Sequence, residues 1–175
     1  MVSKRWAVAQ AFAFAAGLLP LVGFAAAPAP TLSVDGALPS KGALAQADLE
    51  KLGAETMSWN SRGESHQVKG VRLDKVLEHF GFTPGPMGKD VPVSQKVKGY
   101  RQVVVATAKD GFQAVFSCAE VTDGMGPTVA LVAWEVDGRP LAPDIGPFRL
   151  VVVTDGMPAR SVRQLERLRV LDAPQ

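Results

Sequence analysis

Residues 137 to 170 constrain the fold more than any other stretch of the chain. Asp137-Gly138 marks a tight turn, Gly146-Pro147 a second break, and Phe148 to Thr154 an apolar strand. A third corner follows at Gly156-Met-Pro158, and then Leu165 to Leu171 alternates, with Leu168 and Val170 on one face and Arg167 and Arg169 on the other. Period-two alternation is the signature of a strand with one buried face. Short strands separated by Gly and Pro corners predict a β-rich core.

The rest of the chain adds strands and a few short helices. Leu32 to Val34 followed by Asp35-Gly36 predicts a strand and turn, Gln46 to Leu52 a short helix closed by Gly53, and Glu55 to Trp59 a strand whose turn is Asn60 to Gly63. Arg72 to Phe80 predicts the clearest helix. Leu73, Val76, Leu77 and Phe80 fall at i, i+3, i+4 and i+7, and Gly81 stands where a left-handed cap is wanted. On this reading Arg72 lies off the buried face and its loss is expected to cost little. Thr83 to Asp90 reads as a surface loop. Arg101 to Thr107, Lys109 to Gly111 and Phe112 to Phe116 predict a hairpin, and Ser117 to Glu120 matches a capping box. Thr128 to Val136 is almost wholly apolar and is expected at the centre of its sheet. Ser161 to Gln164 predicts one helical turn. Strands outnumber helices, which places the domain in the α+β class with β dominating.

The N-terminus predicts export. Lys4 and Arg5 precede an apolar run from Trp6 to Phe24, and small residues follow. A membrane anchor is the competing reading, opposed by Gln10, Pro20 and Gly23 within the run and by the absence of a basic stop-transfer cluster after it. Cleavage after Ala25 leaves 175 − 25 = 150 residues, enough for one domain. It also removes two of the 19 basic residues, so 17 face 17 acidic ones and the mature chain is formally neutral. That balance argues against a nucleic-acid binder. With Cys118 as the single cysteine, no internal disulfide is available in an oxidising compartment.

Several segments, in order and over nearly the whole mature chain, resemble the molybdopterin-binding oxidoreductase domain of sulfite oxidases and their bacterial relatives. They are AQADLEKL (45–52), the strand with Trp59, VKGVRLDKVLEHFG (68–81), KGY (98–100), DGFQAVFSCAEV (110–121), and VDGRPL with GPFRLVVV (136–153). The resemblance implies a β-dominated mixed-sheet fold of the sulfite oxidase type. It would occupy residues 32–175, after a signal peptide at 1–25 and an extended lead-in at 26–31. It also implies molybdopterin as the family cofactor, with a cysteine thiolate ligating molybdenum just after the strand that follows the first short helix. Here that neighbourhood, residues 53–64, reads GAETMSWNSRGE; Trp59 or Asn60 stands near the expected thiolate and no cysteine is present. Neither an indole nor an amide replaces a soft sulfur ligand.

The other candidate residues divide as follows. Cys118 follows the capping Ser117, where a helix N-terminus would lower a thiol pKa; its alternative role is a small apolar residue packed behind the preceding strand. His66, in a polar turn, and His79, on a helix flank, lack acidic or thiol partners at ligand spacing. Trp59 and Trp134 are expected in the core. After Lys109 every basic residue is arginine, and Arg160 and Arg163, with Arg149 beneath them, are the candidates for a phosphate, sulfate or carboxylate. Arg167 and Arg169 fit a solvated strand face near Glu166. The expectation is an exported, periplasmic or secreted domain without bound metal or catalysis, which binds a small anion or docks on a periplasmic or membrane partner. The alternatives are a molybdenum oxidoreductase subunit with an altered metal site and a structural or assembly factor.

Overall fold

The computed structural model describes residues 29–85, 90–92 and 100–173. The expected leader at 1–25, half of the expected lead-in at 26–31, and parts of the 83–90 loop and of KGY lie outside these residues. Two five-stranded sheets form from β1 (Thr31–Gly36), β2 (Gly42–Ala45), β3 (Glu55–Ser61), β4 (Glu64–Arg72), β5 (Gln102–Ala108), β6 (Gln113–Ser117), β7 (Ala130–Val136), β8 (Arg139–Pro140), β9 (Arg149–Val152) and β10 (Leu165–Asp172). The first sheet runs β2-β1-β10-β5-β6, with β1 and β10 parallel and its other pairs antiparallel. In the second, β4 lies along one edge of β7 while β8 and β9 share the other, and β3 flanks β4. The apolar β7 is thus central, as its composition requires.

The main core lies between the sheets. Val34, Val104, Phe116, Leu168 and Val170 of the first sheet face Val71, Val132, Trp134, Leu150 and Val152 of the second. The helices α1 (Gln46–Lys51), α2 (Leu73–His79) and α3 (Cys118–Val121) are short, and α2 buries Leu73, Val76 and Leu77 as its spacing predicts. Gly81 ends α2 at φ 85°, which frees its amide to donate to Glu78. Among the described residues no helix is long and apolar enough to cross a membrane.

The second sheet is also apolar on its outer face, where Trp59, Val68, Leu131, Ala133 and Val151 form a separate buried cluster. A register shift at Lys69/Gly70 brings β4 against β7 so closely that a Cβ on Gly70 would meet the Val132 carbonyl oxygen at 2.5 Å. This outer face carries the candidate site.

Three sequence expectations require correction. Residues 64–72 form a strand, so His66 lies in β4 rather than in a turn. The helical turn expected at 161–164 is a 3-10 turn at Pro158–Arg160, and Val162 bridges to Leu150 instead. Arg167 and Arg169 are exposed on β10, as expected of a solvated strand face, and both pair with Asp35 on the parallel neighbour β1, at 3.5 and 2.6 Å. Finally, Arg72 ends β4 and is no bystander. Its Nε and Nη2 donate to both oxygens of Asp74, each at 3.1 Å, and Asp74 is 1% exposed.

Candidate functional site

Strand alternation decides where Arg149 points. In β9, Leu150 and Val152 enter the main core, so Arg149 and Val151 project from the outer face opposite Ala133 and Leu131. There the Arg149 guanidinium lies 4.7 Å from the centre of the Trp59 ring, a cation–π contact. His66, cross-strand from Trp59, approaches the same indole with ring centres 5.8 Å apart.

Arg149 and Trp59 line a cavity of about 300 Å³. Three more arginines border it, each from a braced segment. Arg62 and Gly63 form the β3–β4 turn at φ 55° and 89°, and Asn60 Oδ1 accepts the Gly63 amide at 3.1 Å. Arg139 follows the Asp137-Gly138 turn, at φ 52° and 73°. The Asp137 carboxylate accepts the Gln67 amide and contacts His66 Nδ1, both at 2.8 Å, which ties the two hairpins together. The Gln67 amide first, and His66 second, hold the Asp137 carboxyl below its usual range. Arg163 follows Val162, whose amide and carbonyl both bond Leu150, at 2.9 and 2.8 Å. The next amides, of Gln164 and Leu165, donate to Ile145 and Phe148. Val136, Leu141, Ile145 and Pro158 complete much of the wall, and no carboxylate lines the cavity among the described residues.

The electrostatics of this wall are one-sided. Arg149 is 8% exposed, yet among the described residues its side chain has neither a hydrogen bond nor an ion pair. Burial first, and the charge of Arg163 second, push its pKa down to about 10. The Trp59 indole N–H is likewise buried without an acceptor. Arg62, Arg139 and Arg163 have no ion pair among the described residues, whereas Arg72, Arg160, Arg167 and Arg169 all bond carboxylates. Four arginines without ion pairs among the described residues therefore border one cavity, while Arg101, elsewhere, donates to the Ala173 carbonyl and the other four bond carboxylates.

This arrangement brings Arg149 and Arg163 together but separates Arg160 from them. Arg160 bonds Asp155 at 2.9 and 2.7 Å and Glu120 at 2.7 Å, and stacks over Phe116. Those carboxylates raise its pKa, and they occupy the donors that an incoming anion would need. Its assignment to the anion candidates is corrected on that ground. Arg62 and Arg139 escaped the sequence reading because each resembles an ordinary solvated turn residue; the available signal was a turn glycine beside each.

The comparisons with known proteins fit this architecture. A family model described as the oxidoreductase molybdopterin binding domain matches residues 41–175. The chain belongs to that family. Among solved structures it is similar to the sulfane dehydrogenase SoxCD from Paracoccus pantotrophus, with a TM-score of 0.60 and 16% identity. That match covers 82% of this chain and 38% of the other, so the chain spans well under half of that protein's length. At this identity the likeness shows the fold, which is the sulfite oxidase type. No curated protein matches the chain in sequence.

The residues present can be tested against the family cofactor. An anionic group such as a phosphate suits the arginine-lined cavity. A thiolate-ligated metal does not suit this chain. Trp59, on the strand where the resemblance expects the thiolate nearby, offers only an N–H donor. Cys118 lies in the main core with Phe116 and Val121, away from the outer-face cavity, and burial pushes its thiol up to about 12. That shift is opposite to the lowering a helix N-terminus alone would give. Among the described residues no three His, Cys, Asp or Glu side chains cluster as a metal site.

Proposed function

We propose that this chain is an exported, non-catalytic member of its family that binds a small anion in the cavity over Trp59. One observation carries the reading: Arg149 is buried at the cavity without a carboxylate partner among the described residues. An unpaired buried cation costs several kcal/mol as an order of magnitude, a cost that a bound oxyanion offsets. Arg163 adds a second donor set, and the Trp59 indole N–H is available to a ligand once the wall adjusts. Guanidinium groups suit planar or tetrahedral oxyanions because their donors are forked. The non-catalytic part of the reading rests on the donor set, since the cavity wall carries no thiol. Export rests on the leader pattern at residues 1–25 and would place the domain in the periplasm, with an anion or a periplasmic or membrane protein as its partner.

The test is calorimetric titration of the mature chain with sulfate and phosphate. Binding should appear, should weaken with added chloride, and should be lost in Arg149→Met and reduced in Arg163→Gln. It should survive Arg160→Gln in any preparation that remains folded. If wild type takes up neither ion, the arginine wall is not an anion site.

A further inference from the structure

We infer that the natural ligand is a dianionic organic acid, with one carboxylate held by Arg149, an apolar body against the Val136–Leu141–Ile145 wall, and a second carboxylate held by the exposed arginines. This deepens the proposed anion site and rests on it. Three features of the cavity separate such a ligand from a bare inorganic ion.

The first is size. At about 300 Å³ the cavity reaches the lower end of the range typical of small-molecule sites, about 300–1,000 Å³. A single oxyanion at Arg149 would leave most of that space to water. The second is the wall, where Val136, Leu141, Ile145 and Pro158 present carbon to the cavity beside the arginines. Apolar lining of this kind binds carbon through the area it removes from water, and an inorganic oxyanion gains nothing from it. The third is the distribution of charge. Arg149 is buried, whereas Arg62, Arg139 and Arg163 are exposed and come from three different segments: the β3–β4 turn, β8 and the loop after the 3-10 turn. One oxyanion at Arg149 leaves most of these cations without a partner. A ligand with charge at both ends and carbon between them satisfies the buried arginine, the apolar wall and the exposed arginines together. Carboxylate ends suit the site because the planar guanidinium pairs with them in a two-pronged fashion.

The decisive experiment compares three probes on the full mature chain by calorimetry at fixed ionic strength: adipate, hexanoate and sulfate. Adipate and hexanoate share a six-carbon skeleton and differ in the second carboxylate. Adipate should bind at least about tenfold more tightly than either, a gap of about 1.4 kcal/mol. Arg163→Gln and Arg139→Gln change exposed side chains that make no ion pair among the described residues, and together they should bring adipate down to the level of hexanoate. Arg149→Met should abolish binding of all three. Adipate no tighter than hexanoate, or no tighter than sulfate, would overturn the dianionic ligand while leaving the anion site intact. A chain that binds none of the three refutes the site itself, and the two failures are thereby told apart.

Discussion

Arg160 and Arg149 lie eleven positions apart, and each guanidinium rests on an aromatic ring, yet their surroundings are opposite. Arg160 is half-exposed over Phe116 and makes three hydrogen bonds to Asp155 and Glu120. Arg149 is nearly fully buried over Trp59 and makes none among the described residues. Selection for stability alone would reverse this, giving carboxylates to the buried cation and leaving the exposed one to water. The paired region shows that this chain can assemble carboxylate partners for arginine across 40 residues of sequence, as it does for Glu120 and Arg160. Their absence around Arg149 among the described residues is the contrast on which the proposed anion site rests.

The largest effects should come from breaking the paired class. In Arg72→Met, Asp74 keeps the amides of Lys75 and Asp123 but loses its guanidinium while 1% exposed. Removing one member of a buried pair costs about 3–5 kcal/mol, read as a fall in the urea midpoint. Arg160→Met should cost less, about 2–3 kcal/mol, because Glu120 and Asp155 retain contact with water. Variants as stable as wild type would mean that these pairs contribute nothing and that the contrast with Arg149 is empty.

The sequence displayed some of this and concealed the rest for physical reasons. The closing strand, α2, the β5–β6 hairpin and the central β7 were legible because each is written in local periodicity and turn residues. β4 was not, because ESHQVKGVR places Val68 and Gly70 on a face where glycine dilutes the alternation. The parallel pairing of β1 with β10 joins residues more than 130 positions apart, so Asp35 could not be seen as the partner of Arg169. Arg149 and Arg163 stood out as arginines among apolar strands and corners. Arg160 looked equivalent to them, since only Asp155 lay near it in sequence and Glu120 came from another element. The cavity itself depends on two hairpins meeting through Asp137 and His66, a contact spanning 71 positions.

Arg149→Met sharpens the comparison with an effect of opposite sign. Methionine keeps much of the side-chain volume over Trp59 and removes the unpaired charge, at the loss of one cation–π contact. Replacing buried charge by apolar side chains often stabilises by about 1–4 kcal/mol. The ligand-free variant should accordingly gain about 1–3 kcal/mol in a urea melt while losing anion binding. A variant destabilised as much as Arg160→Met would show that Arg149 has a structural partner and belongs to the paired class.

The smallest effect is the dependence of this difference on pH. The pKa of Arg149 in the folded protein is about 10, pushed down by burial and then by Arg163, against an ordinary 12.5. Below about pH 10 both folded and unfolded chains carry the proton, and folding bears the full cost of burying the charge. As the pH rises through that value the folded chain releases the proton while the unfolded chain keeps it. The unfolded state then binds more protons, which makes stability rise with pH. The other ionisable groups are common to wild type and Arg149→Met and cancel in the difference. Wild type should thus recover about 1 kcal/mol relative to the variant between about pH 9 and 11. Saturating sulfate should abolish this recovery, because a bound anion favours the charged guanidinium and returns its pKa toward the ordinary value. A difference that stays flat with pH in the absence of anion would mean that Arg149 is already neutralised, and the contrast between the two arginines would lose its electrostatic basis.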